Sequence, residues 1–392
     1  MEPKSRHASA SIHGVRDGAL EGIGIDLLFA APPFTGLEVH ALHILRGLAL
    51  VQTPVDVFAQ EDVAPVIAQQ ADGHRVIPFP TVPRALRLGR EQWAIPWRFG
   101  PRPRSYRLFH GVIGVAPVFV KIPFVLTVPD LAYRVAARQL HPRARWYFGT
   151  LVPRSIRRAR RIMVSSQAIR REVIDLYHIA PDRVVHIPLC ADPIFTPQPV
   201  EVVTAVRKQF GLPERYILYV GTIDPRKDLG RLRAAYDLLP PDLADTALVI
   251  AGRTARGAER LARELSRPGR RGHVLPIGYV PRETLPALYT GAAIFVYPSR
   301  YEGFGLPVLE AMACGTPVVV SACDALRELV GDAGVVVPSP DVEALTQAIE
   351  RLLRFEDERQ ALQRRGMVRA SQFSAQRLGQ QTAEVYRQAL SA

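Results

Sequence analysis

Short runs of apolar, β-branched residues alternate along the chain with segments whose apolar positions recur at helical spacing. In the first half, GIGIDLLF (22–29), VDVFA, FVLTV (124–128), RIMVSS and DRVVHIP read as strands. GLEVHALHILRGLAL, ARWYFGTLVPRSIRRA and QAIRREVIDLY read as helices. A stretch with three prolines, ADPIFTPQPVEVV (191–203), reads as a linker. Beyond it the pattern restarts, with YILYVG, ALVIAG, HVLPIG, AAIFVYPS, PVVVS and AGVVV separated by helical segments. Strands alternating with helices imply parallel sheets covered on both faces. The expected fold is therefore α/β, with two doubly wound domains at 21–195 and 196–372 facing across a cleft. Leu378, Ala383, Tyr386 and Leu390 mark 373–392 as a C-terminal amphipathic helix. Sheets of this kind bind ligands beyond the carboxyl ends of their strands, which puts the expected site in the cleft.

Composition narrows the class. A chain of 392 residues suits two domains, and 48% apolar content excludes a disordered polymer. Residues 1–20 are polar, without the apolar centre of a signal peptide, and are expected to form a disordered tail. No apolar run approaches the ~18 residues that span a bilayer. Cys190, Cys314 and Cys323 give neither a disulfide framework nor zinc-site spacing, so a reducing, cytoplasmic setting fits.

A net charge of +13 calls for acidic partners: phosphorylated substrates, anionic lipid or nucleic acid. Between Arg138 and Arg171 lie ten arginines and no acid, with Trp146, Tyr147 and Phe148 interleaved. That is the composition of a membrane-surface segment, and its plainer alternative is a solvated basic face. No nucleic-acid recognition motif accompanies it.

The sharpest local signal is SRYEGFGLPVLEAMACGTPVVVS, running from Ser299 to Ser321. Gly303 and Gly305 lack side chains, so their amides can approach a ligand closely. Pro307 suits the first turn of a helix and Gly315 its C-terminal cap. The helix N-terminus then points from a strand's carboxyl end with free N–H groups, which suits phosphate or sugar hydroxyls. Glu302 in the loop and Glu310 one turn into the helix can line one wall of a pocket. A carboxylate accepts hydrogen bonds in two directions, as vicinal hydroxyls require. The bland alternative is a capping acid and a solvated glutamate.

YILYVGTIDPRKDLGRLRAAY (216–236) places Gly221 at a strand end, with Arg226 and Lys227 before a helix. Cations there oppose the helix dipole, so an anion such as a diphosphate explains them better than solvent does. In VLTVPDL, Asp130 follows a buried strand and is either a cleft-facing acceptor or a helix cap. Gly36 in FTGLEVH stands at a strand-to-helix turn where backbone can approach a phosphate. D-x-D, His-x-x-x-His and Cys-x-x-Cys spacings do not occur, so no metal site is expected.

Together these segments resemble the retaining glycosyltransferases of family 4, which have the GT-B architecture of two Rossmann-like domains. The likeness is densest in VGTIDPRKDLGRL, LVIAG, GYVPRETLPALYTGAAIFVYPSRYEGFGLPVLEAMACGTPVVVS, ELVGDAG and PDVEAL. It is nearest to members that build bacterial cell-surface polysaccharide such as lipopolysaccharide, many of them mannosyltransferases. The resemblance implies that Glu302 faces the donor sugar at the reacting centre. The backbone of Gly303, Phe304, Gly305 and Leu306 would meet the sugar hydroxyls, and Glu310 the nucleotide ribose. Arg226 and Lys227 would neutralise the diphosphate leaving group, with no cofactor or metal.

The implied donor is GDP-mannose or a UDP-hexose, with mannose the first choice. The implied acceptor is a glycan or polyprenyl-linked glycan, met at the inner face of the cytoplasmic membrane. One departure stands out: many relatives have His-Asp where this chain has Pro129-Asp130. That motivates a second expectation, a catalytically weak or silent sugar-nucleotide-binding subunit. A glycan phosphorylase or nucleotide-sugar epimerase on the same fold would show a cofactor lysine or other acid pairs, which are not found.

Overall fold

The computed structural model describes residues 20–32, 34, 36–99, 106–135, 141–267, 273–338 and 340–391. Of the sequence expectations, residues 1–19 of the tail and Arg138 lie outside the described residues.

Among the described residues the two sheets have seven and six strands, and the first holds β1 Ile23–Asp26, β2 Asp56–Gln60, β3 Arg75–Phe79, β4 Leu108–Gly111, β5 Phe124–Val128, β6 Arg161–Val164 and β7 Val184–His186. Their order is β3-β2-β1-β4-β5-β6-β7, and every neighbouring pair is parallel. Six strands form the second: β8 Tyr216–Val220, β9 Ala247–Ala251, β10 Val274–Gly278, β11 Ile294–Tyr297, β12 Val318–Ser321 and β13 Val335–Val337. Their order is β10-β9-β8-β11-β12-β13, again all parallel. β5, β8, β9, β11 and β12 are buried along their whole length, as strands covered on both faces must be, and hence read as unbroken apolar runs.

Among the described residues of the first domain, two strands and three helices are missing from the sequence reading, the helices being Ala64–Gln70, Arg84–Phe99 and the single turn Ala132–Val135. β3 contains Pro78 and an exposed-to-intermediate pattern; at the edge of its sheet it needs only one set of ladder bonds, so proline is tolerated. β4 is only four residues, LFHG, too short to carry a period. Helix Arg84–Phe99 is masked in the sequence by Pro96 within it. At the linker, helix Val200–Phe210 begins inside the stretch read as irregular.

In each sheet the strand order reverses beside the first strand, β1 against β4 and β8 against β11, which is where a doubly wound sheet opens a crevice. Helix Ala375–Ser391 returns to the first domain and packs along helix Gly36–Leu50. The two backbones meet at a glycine pair: a Cβ on Gly379 would stand 1.9 Å from the Gly47 carbonyl oxygen. Leu378, Ala383 and Tyr386 join the first-domain core. Among the described residues no helix is long and apolar enough to cross a membrane.

Candidate active site

The loops that follow β8 and β11 lie side by side because those strands are neighbours, and they bring 221–227 against 298–306. Asp224 caps the short 3-10 turn Pro225–Lys227 by accepting the Arg226 amide at 2.8 Å. The turn directs Lys227 inward. Its Nζ donates to Tyr297 Oη at 2.7 Å and forms an ion pair with Glu302 Oε1. The Tyr297 ring is stacked between those of Tyr219 and Phe295, which fixes the hydroxyl.

Glu302 is 9% exposed and also accepts from Ser299 Oγ at 2.6 Å. Burial alone would raise its pKa, but the Lys227 ammonium and the Arg226 guanidinium outweigh it and hold the carboxyl below its usual range. It is a fixed carboxylate at neutral pH.

Arg226 points toward the first domain. Its Nη1 lies 3.9 Å from Asp130 Oδ2 and is buried without a hydrogen-bond partner. Asp130 turns its other oxygen to its own loop, accepting the Ala132 amide at 2.8 Å, and burial pushes its pKa up. Asp130 and Arg226 line a cavity of about 310 Å³ with Tyr133, Phe148 and Val152 of the first domain.

A second cavity, of about 220 Å³, lies against β8 and β9 and is lined by Gly36, Gly221, Arg253, Tyr279, Leu306 and Glu310 among others. Gly221 and Gly252 have φ of 151° and 146°, and a Cβ on Gly252 would stand 1.9 Å from the Gly221 carbonyl oxygen. Both turns therefore require glycine. At Gly36 a Cβ would meet nothing within 4 Å, so protein packing does not demand glycine there and the space belongs to the cavity. Glu310, in helix Leu306–Ala313, accepts from Arg282 Nη1 at 3.2 Å and from Tyr289 Oη at 3.1 Å. Burial dominates these partners and raises its pKa to about 7.

The 303–306 backbone joins the two domains. A Cβ on Gly303 would lie 2.0 Å from the Pro129 carbonyl oxygen, and Ser165 Oγ lies 2.9 Å from Gly303 O and 3.0 Å from Pro129 O. Tyr301 Oη donates to Glu172 at 2.9 Å and accepts the Leu131 amide at 2.9 Å. Glu328 closes the contact further out, its carboxylate accepting the Gln167 amide at 2.9 Å. Gly305 has φ 107°, and a Cβ there would strike Leu326 at 2.6 Å. Phe304 is a core side chain, edge-on to Phe373, and offers the cleft its backbone alone.

Ser299, Tyr297, Tyr289 and Arg282, which hold the two glutamates, escape the sequence reading. Ser299 carried a signal, three residues before Glu302 as in a Ser-x-x-Glu capping pair. Tyr297 and Tyr289 read as ordinary core aromatics, and nothing local marks Arg282.

The arginine-rich segment also divides. Arg160 donates to the Ala389 carbonyl at 2.9 Å, and Arg170 to those of Val184 and Pro181 at 2.9 and 2.7 Å. These arginines hold the fold together, whereas Arg143, Arg145, Arg154 and Arg157 of helix Pro142–Arg158 are exposed.

Two parallel-sheet domains facing each other across the carboxyl ends of their strands, with a carboxylate and paired cations between them, are the GT-B architecture. Residues 34–194 match the family profile described as Glycosyltransferase Family 4, and residues 203–369 that of Glycosyl transferases group 1. The chain is 32% identical to O-antigen chain mannosyltransferase B of Escherichia coli over 377 residues, 91% of this chain and 96% of that one. Among solved structures it is similar to sucrose-phosphate synthase from Thermosynechococcus elongatus, with TM-score 0.74, 23% identity and 95% and 99% of the two chains covered. It is also similar to WaaG, a glycosyltransferase involved in lipopolysaccharide biosynthesis, with TM-score 0.72, 20% identity and 93% and 99% covered. The chain belongs to glycosyltransferase family 4.

Proposed function

We propose that this glycosyltransferase moves a hexose, mannose first, from a nucleotide-diphosphate sugar to a glycan or polyprenyl-linked glycan in the synthesis of cell-surface polysaccharide. The donor is GDP-mannose or a UDP-hexose. Mannose is favoured by the name of the Escherichia coli relative, which spans nearly the whole chain. The work is done on the cytoplasmic side, with the exposed arginines of helix Pro142–Arg158 toward the inner membrane face.

The observation that carries this reading is the state of Arg226. A guanidinium with a buried nitrogen that has no hydrogen-bond partner stands between a fixed carboxylate and the cavity it lines together with the first domain. A diphosphate satisfies it. Glu310 takes the ribose hydroxyls in the 220 Å³ cavity, the 303–306 amides meet the sugar, and the acceptor enters past Asp130. Lys227 acts through Glu302, holding it ionised where positive charge grows on the anomeric carbon.

The bond from that carbon to the diphosphate breaks and one to the acceptor oxygen forms on the same face, with retention. The acceptor's proton leaves on a diphosphate oxygen. The cations of this chain carry the leaving charge, and no cofactor is assigned. A thermal-shift panel of GDP-mannose, UDP-glucose, UDP-N-acetylglucosamine and dTDP-rhamnose tests the donor. Selective stabilisation by GDP-mannose supports mannose transfer; selective stabilisation by another donor overturns it. Tight binding without transfer to membrane extract favours the silent subunit.

A further inference from the structure

The outward side of the first domain carries a surface that sugar transfer does not use. Helix Arg84–Phe99 presents Leu86, Trp93 and Trp97, which are 60%, 67% and 84% exposed. Their spacing puts them on one helix face. The segment before β5 presents Phe119, its ring 5.2 Å from that of Trp93, and helix Pro142–Arg158 presents Trp146, 69% exposed.

The three segments are one rigid piece. Gln92 donates to Tyr147 Oη at 3.2 Å and accepts the Val118 amide at 2.9 Å. Arg158 donates to the Val118 carbonyl and, at 3.0 Å, to that of Val120. Single exposed apolar residues are ordinary, but large aromatic side chains gathered on a fixed base mark an interaction surface.

The charge around them selects the partner. Lys121, Arg143, Arg145, Arg154 and Arg157 are exposed in the same segments. The one carboxylate in 84–99, 117–122 and 142–158 is Glu91, and it is fully buried. Tryptophan beside arginine, with no acid, is the composition of a surface seated at the headgroup level of an anionic bilayer. The opposite side of helix Pro142–Arg158 supplies Phe148 and Val152 to the cavity that holds Asp130 and Arg226. One helix diameter, about 10 Å, therefore separates Trp146 from the acceptor side of the cleft.

We infer that Trp93, Trp97, Phe119 and Trp146 insert into an anionic membrane monolayer while the exposed arginines bind lipid phosphates. This seats the acceptor cavity at the interface. The inference rests, for its purpose, on the lipid-linked acceptor proposed above. It differs from simple attraction of a basic segment, because the aromatic side chains of another helix must enter the acyl boundary.

The chain provides its own reporter, since its three tryptophans are Trp93, Trp97 and Trp146. Tryptophan emission of the full-length protein is recorded with vesicles of phosphatidylcholine alone and of phosphatidylcholine mixed with phosphatidylglycerol. The expected result is a blue shift with the mixed vesicles, and quenching when their acyl chains are brominated. W93S/W97S is expected to weaken vesicle partitioning about tenfold or more, while retaining its donor-induced thermal shift.

Absence of any shift, or vesicle binding without quenching, overturns insertion. So does a shift produced by protein concentration alone, which would mean a second copy, or by a DNA duplex without lipid. The donor thermal shift is read on the same samples. Its failure strikes the transferase reading and leaves the lipid result standing.

Discussion

Lys227 and Glu302, 75 residues apart in sequence, form a buried ion pair where the ends of β8 and β11 adjoin. The pair makes each group's state depend on the other. Removing one partner leaves a buried charge uncompensated, which costs about 3–5 kcal/mol. Lys227→Met is therefore expected to destabilise the protein strongly, and K227M/E302Q to recover much of that loss. Urea unfolding of the four proteins in this cycle measures the coupling. Additive losses would show that the two groups do not interact.

Glu310 titrates near neutrality, and the sign follows from its environment. Its folded pKa of about 7 exceeds the ordinary 4.5, so the native state holds a proton that the unfolded state has lost. The resulting stabilisation is fully present below about pH 4.5, declines as pH rises, and is gone above about 7, roughly 3 kcal/mol in all. With Glu310 in its proposed place at the ribose, nucleotide affinity is expected to run the other way, because an ionised carboxylate is the better acceptor for hydroxyls. GDP binding followed by calorimetry is expected to weaken below about pH 7, and Glu310→Gln to remove most of the affinity and its pH dependence.

Gly303 separates the role of the domain contact from that of the carboxylate beside it. A Cβ there would lie 2.0 Å from the carbonyl oxygen of Pro129, which cannot rotate away as a side chain can. Gly303→Ala is expected to part the domains, raise the radius of gyration in small-angle scattering and lower transfer, with nucleotide affinity nearly unchanged. An unaltered scattering curve would show that the contact is dispensable.

Much of this was legible in the sequence, for identifiable reasons. Interior strands such as β8 and β12 are apolar throughout because both faces are buried, and glycine at 221 and 305 marks backbone that other residues avoid. What sequence could not give was adjacency. That 226–227 and 302 share one site follows from strand order, and that Gly303 touches Pro129 follows from how two domains meet. Arg157 and Arg160 read alike as basic residues, yet one is exposed and the other caps the carbonyl of Ala389. Their difference is set by a helix more than two hundred residues away.

That helix yields a further expectation. His110 lies fully buried between Tyr386 Oη at 2.8 Å and Thr127 Oγ1 at 2.7 Å, and burial lowers its pKa to about 3. Tyr386→Phe leaves one ring nitrogen unsatisfied and is expected to cost about 1–3 kcal/mol by denaturant unfolding. The thermal shift with GDP should stay as it was.

The most direct measurement compares wild type with Glu302→Gln, which preserves volume and leaves an amide oxygen for Lys227 to donate to, at a temperature where the destabilised variant is still folded. Transfer of radiolabelled mannose from GDP-mannose to membrane extract is followed alongside the thermal shift with GDP. The predicted result is transfer by the wild type, a loss of about a hundredfold or more in the variant, and the same GDP-induced shift in both. Near-normal transfer by a folded variant, or transfer by the wild type from no donor of the panel, would contradict it.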